Sequence, residues 1–271
     1  MQIPTLKVSA VYNNEVAQLA SLQPEGWGEI VTPHTFYTQS TFCFPLKIAE
    51  GDEIVGIGTA IIHEDVAWLG HIIVHPQHRN KGIGKLITQT LIDLPIVKRC
   101  ETVYLIATEL GAPVYTKCGF ETETEYLYFK DVKAKPEWTI SSSIIPYRDE
   151  FREQITAMDR LISTENRLQH IDAHFQESYV YLRENIVEGY YLPGLGEGLI
   201  VSTNEEAGLE LIKYRLQSGE KLAFPKDNIA ATNFMYSNGY RESSSGKRMR
   251  LGKKRNVQLA NIYNRIGGNV G

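Results

Sequence analysis

No apolar run in this 271-residue sequence is long enough to cross a membrane. The longest largely apolar stretch, residues 54–62, has nine residues and two glycines, where a spanning helix needs about 20. Cysteine is scarce. Cys43, Cys100 and Cys118 are three in number and show no CxxC spacing, so neither a disulfide framework nor a cysteine zinc site is expected, and a reducing cytoplasm fits best. Basic charge is not in excess: Lys and Arg number 28 against 32 Asp and Glu. Duplex-DNA binders normally carry a basic balance, so no nucleic-acid partner is expected. The first 135 residues hold 11 basic and 15 acidic side chains, the remainder 17 of each. The one basic cluster, Arg241, Lys247, Arg248, Arg250, Lys253, Lys254 and Arg255, reads as a solvated final strand and tail. Met1-Gln2-Ile3-Pro4-Thr5 shows no basic segment followed by an apolar one, so no secretory signal is expected. Low-complexity segments and clusters of metal ligands are also missing, and neither a membrane partner nor a metal is expected.

What is present is a mixed α/β pattern in two pieces. The polar stretch Asp131-Val132-Lys133-Ala134-Lys135-Pro136 is the best linker, which predicts domains at 1–135 and 136–271, the second with a C-terminal tail. In the first, residues 54–62 read as a strand, His63-Glu64-Asp65 as a turn, and residues 66–74 as the partner strand of a hairpin. Pro76 stops that strand because proline cannot donate to a ladder. Ile83, Leu86, Ile87, Thr90, Leu91 and Leu94 recur at helical spacing, and Pro95 ends the helix. Residues 103–107 read as a buried strand. Pro113 opens a short helix through Tyr115 and Lys117 that Gly119 terminates, and residues 124–130 form a last strand.

The chemistry is concentrated in Val74-His75-Pro76-Gln77-His78-Arg79-Asn80-Lys81-Gly82-Ile83-Gly84-Lys85. A strand ends, a basic turn follows, and two glycines open an amphipathic helix. Free amides at a helix N-terminus attract anions, and glycines let a phosphate approach the backbone. Arg79, Lys81 and Lys85 add positive charge at the same point. A Walker A loop needs GxxxxGK[ST], which Gly82-Ile83-Gly84-Lys85 is too short to supply. A dinucleotide fingerprint needs a third glycine where Ile87 stands.

RxxGxG does fit, as Arg79-x-x-Gly82-x-Gly84, and it resembles the pyrophosphate loop of the GNAT superfamily of N-acetyltransferases. That family carries V-x-P-x-x-R-x-x-G-x-G after its fourth strand, which Val74 to Gly84 matches throughout. It carries Tyr-x-x-x-Gly-Phe about 30 residues later, supplied here by Tyr115 to Phe120. The resemblance implies a central, mostly antiparallel sheet flanked by helices, and acetyl-CoA as co-substrate. Backbone groups of Ile72, Ile73 and Val74 would align the pantetheine arm and thioester. Amides of Arg79, Asn80, Lys81, Gly82, Ile83, Gly84 and Lys85 would cradle the pyrophosphate. Tyr115 stands where related enzymes protonate the leaving thiolate.

A general base is also needed, because an amine is mostly protonated at neutral pH. His71 and Glu64 are the candidates, with His34 behind them. Cys118 has no histidine partner and reads as a packed small residue.

Residues 137–250 repeat the pattern faintly. Residues 179–183 and 186–192 form a hairpin about Glu184-Asn185, residues 198–201 a central strand, and Leu209, Ile212 and Leu216 one face of a helix. Asn238-Gly239-Tyr240 echoes Cys118-Gly119-Phe120 at an offset of 120 residues. Glu206, Leu209 and Leu211 stand where Arg79 and the two glycines stand in the first copy, and Met235 stands for Tyr115. The arrangement resembles tandem members of the family with an intact first domain and a degenerate second. Asp159, Arg160, Arg167 and Glu197 are candidates for shaping an acceptor pocket. The function read is acetyl transfer to a primary amine, on a small molecule or a peptide, by a monomer or dimer. The alternative is a non-catalytic acyl-CoA sensor or ligand-binding regulator.

Overall fold

The computed structural model describes residues 6–271; the N-terminal pentapeptide read for a secretory signal lies outside the described residues. The protein is mixed α/β, with strands in two mostly antiparallel sheets flanked by helices. In chain order the first half contains β1 (Leu6–Ala10), α1 (Val31–Gln39), β2 (Cys43–Glu50), β3 (Glu53–His63), β4 (Val66–Val74), α2 (Ile83–Asp93), β5 (Thr102–Ala107), α3 (Ala112–Thr116) and β6 (Glu121–Phe129). Then come β7 (Ile144–Pro146), α4 (Arg152–Ser163), α5 (Leu168–Ile171), β8 (Tyr179–Arg183), β9 (Ile186–Leu192) and β10 (Leu199–Ser202). The chain closes with α6 (Glu205–Arg215), β11 (Leu222–Pro225), α7 (Ile229–Ser237), β12 (Ser244–Gly252) and β13 (Ile262–Asn264). Among the described residues no helix is long and apolar enough to cross a membrane.

The chain divides into two compact units. One runs to Glu121 and takes back Met249–Lys253 and Gly268–Val270; the other holds Thr122–Arg248, Lys254–Gly267 and Gly271. The stretch 131–136, read from sequence as a linker, lies inside the second unit. Its Val132 is 1% exposed and belongs to the same apolar cluster as Phe129 and Leu222.

In the first unit, β1, β2, β3, β4 and β5 lie side by side, antiparallel apart from the parallel pair β4–β5. The apolar face of α2 buries Ile83, Ile87 and Leu91 against this sheet. The glycines of β3 explain how closely it sits. A Cβ on Gly58 would stand 2.5 Å from Ile87 Cγ2 and 3.0 Å from Leu91 Cδ1, so only glycine lets helix and strand meet there.

In the second unit the strand order is β13-β10-β9-β8-β7. Glu184 and Asn185 both take positive φ, as a two-residue hairpin turn requires. The 120-residue echo is visible in the backbone. Gly119 has φ 92° and Gly239 φ 88°. The amides of Phe120 and Tyr240 donate five residues back, to the carbonyls of Tyr115 and Met235, at 3.1 and 3.0 Å. Two short helices, α3 and α7, therefore end in the same left-handed cap.

The basic cluster departs from its sequence reading. Strand alternation along β12 leaves Lys247 exposed and turns Arg248 inward to 2% exposure, with Nε 3.3 Å from Glu123. Arg250 reaches Glu121 at 2.9 Å. The run is in part a ladder of paired charges, not a solvated face.

Candidate active site

Two features of β4 open the site. The registered pairs with β5 end at Trp68↔Tyr104, although β4 continues to Val74 and β5 to Ala107. The strands part, and Ile72, Ile73 and Val74 lie on the length of β4 that has left its parallel neighbour. Toward β3 the register slips, with Ile57 facing Ile73 and Thr59 facing Gly70. This bulge gives β4 one extra residue at His71–Ile72, and His71 takes φ 48°. Bulges re-aim side chains and end pairing, and they recur beside active sites.

The segment after β4 is built to present amides. A short 3₁₀ turn, Pro76–His78, follows His75, and Arg79 Nε donates to the Val74 carbonyl at 3.3 Å. Asn80 and Gly82 both have positive φ, 61° and 81°. Gly82 is the N-cap of α2, and its carbonyl accepts from Leu86 at 3.0 Å. Among the described residues, the amides of residues 80–85 find no hydrogen-bond acceptor, and a Cβ placed on Gly82 would meet nothing within 4 Å. Alternating left-handed residues leading into a helix N-terminus make an anion-binding concavity. Arg79, Lys81 and Lys85 surround it. The fit to a pyrophosphate is therefore one of conformation, free donors, open space and charge.

Tyr115, on α3, is packed in the same apolar cluster as Ile83, Ile87 and Ala107, with Val74 against it. Its ring meets Phe120 edge-on at 6.3 Å, and its hydroxyl has no hydrogen-bond partner among the described residues. Burial, and secondarily the neighbouring Cys118, pushes its phenol well above the ordinary value. The group keeps its proton at every physiological pH. Burial also raises the Cys118 thiol, which removes thiolate character and agrees with a packing role.

The base candidates separate. Glu64 sits exposed in the β3–β4 turn. It lies eight strand residues from Ile72, roughly 26 Å away at about 3.3 Å per residue. His71 is half-buried in the bulge. Its Nδ1 lies 3.0 Å from Tyr37 Oη, to which Asn269 Nδ2 donates at 2.6 Å. A Cβ on Gly70 would collide with Asn269 Cβ at 2.5 Å, so glycine lets this distant segment close over the bulge. His34 is fully buried. Its Nδ1 donates to the Ile30 carbonyl at 2.7 Å, and its ring centroid is 5.3 Å from that of His71.

Burial, with His34 alongside, pushes His71 down to about 3, and burial lowers His34 as well. Tyr37 Oη lies within hydrogen-bonding distance of both Asn269 Nδ2 and His71 Nδ1. Burial therefore favours the neutral form of His71 and weakens it as a base. Tyr37 and Asn269 were not found from sequence, since 232 residues separate them.

This cluster has a pH consequence. Both histidines are harder to protonate folded than unfolded, so the unfolded state binds more protons below about pH 6.5. Their stabilising contribution is full above that pH and is lost as pH falls toward 3. The expected cost is on the order of 1 kcal/mol per histidine per pH unit. Thermal unfolding from pH 7 to 5 should show a falling Tm, and the fall should be shallower in His71→Gln.

Residues 10–120 match the family model described as the acetyltransferase (GNAT) family. That match covers less than half of the chain. A curated relative, glucosamine 6-phosphate N-acetyltransferase of Schizosaccharomyces pombe, is 39% identical over 72 residues. That match covers 23% of this chain and 65% of the relative, just under two thirds of its length. Solved structures extend the likeness in fold alone. A Pyrococcus horikoshii protein assigned as an acetyltransferase superposes with TM-score 0.83 at 18% identity, over 100% of this chain and 98% of its own. A tandem GNAT protein from the clavulanic acid biosynthesis pathway gives 0.61 at 11% identity, over 93% and 99%.

Elements of the first unit have counterparts in the second, but the helix start is different there. α6 begins directly after β10, and the side chain of Asn204 accepts from the Ala207 amide at 2.9 Å. Glu205 and Glu206 occupy the first turn, and Glu206 pairs with Arg183 at 2.6 Å. Met235 is fully buried. Of the residues read as candidates for an acceptor pocket, Asp159 and Arg167 are buried, while Arg160 and Glu197 are exposed. Arg167 pairs with Asp159, and Glu197 holds Arg265 through two bonds of 2.8 Å.

Proposed function

We propose that this protein is an N-acetyltransferase that moves the acetyl group of acetyl-CoA onto a primary amine by direct attack in a ternary complex. The parting of β4 from β5, beside a loop of unused amides, carries this reading. Bound acetyl-CoA supplies an activated acetyl thioester. The amides of residues 80–85, with Arg79, Lys81 and Lys85, hold its pyrophosphate. Backbone groups of Ile72, Ile73 and Val74 align the pantetheine arm, and the Val74 amide polarises the thioester carbonyl. Tyr115 holds a proton at Oη for the leaving sulfur.

His71 positions rather than deprotonates: its ring is held at the bulge through Tyr37 and Asn269. The amine attacks the thioester carbonyl in its neutral form, having released its proton to water, and the thiolate leaves with the proton from Tyr115. The second unit is a degenerate copy that binds no acetyl-CoA. Its first-turn carboxylates repel a phosphate, and the Asn204 cap takes one of the amides such a site would use.

The acceptor is a small-molecule or peptide amine. Glucosamine 6-phosphate is the first to try, because the S. pombe relative is named for it. Free thiol released from acetyl-CoA should appear only when the acceptor amine is added. Binding without amine-dependent release across a panel of sugar, amino-acid and peptide amines would favour the sensing alternative.

A further inference from the structure

The root of the phosphate loop carries a second group of side chains that acetyl transfer does not use. Glu53 opens β3, and His75 and His78 bracket the Pro76–His78 turn. One ligand-type atom from each lies within 4.8 Å of the others. His78 Nε2 is 3.9 Å from Glu53 Oε2, and its Nδ1 is 3.0 Å from Glu50 Oε2. His75 turns Nδ1 toward the Gln77 amide at 3.4 Å, which leaves Nε2 for another partner. Glu50 and Glu53 are directly paired across the β2–β3 hairpin. Like charges facing each other there are destabilising unless a cation lies between them.

We propose that Glu53, His75 and His78 form a binding site for a divalent transition-metal ion of the Zn²⁺ class. Two imidazoles and one carboxylate are a common donor set for such ions, with water completing the coordination. Glu50 acts from behind: a carboxylate on the far nitrogen of a metal-binding histidine fixes its orientation and raises its basicity. Metal–ligand bonds of about 2.0–2.2 Å require the three donor atoms to draw closer than they stand. Glu53 can supply that movement, since its side chain is 59% exposed. The ion would tie the β2–β3 hairpin to the segment leading into Arg79, and so stiffen the root of the anion loop. This inference does not depend on the acetyl-transfer reading.

The test uses the full chain freed of metal with a chelator, titrated with Zn²⁺ by calorimetry and by thermal unfolding. The expected result is one equivalent bound with a rise in Tm. Glu53→Gln and His75→Asn should each weaken binding at least tenfold. Glu50→Gln should weaken it about 10- to 100-fold without changing the stoichiometry. Metal-free Tm values for each variant establish that it is folded. Replacing Zn²⁺ by Co²⁺ should give visible absorption that Glu53→Gln removes. No saturable binding, or binding that folded Glu53→Gln and His75→Asn variants retain in full, would overturn the proposal.

Discussion

Replacing Tyr115 with phenylalanine is expected to lower turnover by about 10²- to 10⁴-fold, the usual contribution of a positioned acid. Acetyl-CoA affinity should stay within about a factor of two. The asymmetry follows from the surroundings of the residue. Its ring is packed in the core cluster with Ile83 and Ala107, and phenylalanine keeps that packing. Its hydroxyl has no hydrogen-bond partner among the described residues, so removing it breaks no bond of the folded state. What disappears is a proton held ready by burial. Steady-state kinetics with the acceptor in excess, beside calorimetric binding of acetyl-CoA, separates the two effects. Unchanged turnover would assign the proton to another donor, and lost affinity would make Tyr115 a binding residue.

The second large effect is on stability. Arg167→Ala should destabilise the protein by about 3–5 kcal/mol, because it strands a buried carboxylate. Arg167 and Asp159 are 3% and 2% exposed. They are joined by two bonds, Nη2 to Oδ1 at 2.5 Å and Nε to Oδ2 at 3.2 Å. Tyr190 donates to the same carboxylate, and Arg167 Nη1 donates to the Gly271 carbonyl at 3.2 Å. Burial opposes the charge on Arg167, yet Asp159 holds it firmly protonated. Urea unfolding should show a lower midpoint with an unchanged slope. Asp159→Asn combined with Arg167→Met should recover part of the loss, since a neutral pair leaves no stranded charge.

The parts legible in sequence are those whose cause is local. Apolar alternation and the flanking turn and proline residues mark β3 and β4, helical spacing marks α2, and Gly119 and Gly239 mark two left-handed caps. The proposed phosphate loop stands out for the same reason, because its glycines and cations are contiguous. The N-terminal elements gave no such signal. Pro45 and Lys47 interrupt β2, and α1, with sequence VTPHTFYTQ, has no apolar stripe. Val132 sits in a polar stretch and is nonetheless buried, because the burial is decided by contacts made later in the chain. Arg248 looks like one charge in a basic run until strand alternation turns it toward Glu123.

The site divides along the same line. Tyr115 and the loop were proposed from spacing. The burial and the His34 neighbour that lower the basicity of His71 are not shown by spacing. Glu64 is contiguous with the strand that carries the site but lies at its far end. Asn269 on Tyr37, and Glu53 beside His75 and His78, are tertiary juxtapositions with no local signal.

The central claim is that one acetyl-CoA binds, in the first unit, on the loop around Gly82. Calorimetric titration of the full chain with acetyl-CoA tests it most directly, run on the natural sequence and on Gly82→Glu. A carboxylate about 6 Å from a phosphate charge costs about 3 kcal/mol at an effective dielectric of about 20, or roughly a hundredfold in affinity. The predicted result is one equivalent, weakened about a hundredfold or more in Gly82→Glu. Two equivalents, no binding, or a folded Gly82→Glu chain that binds unchanged would contradict it.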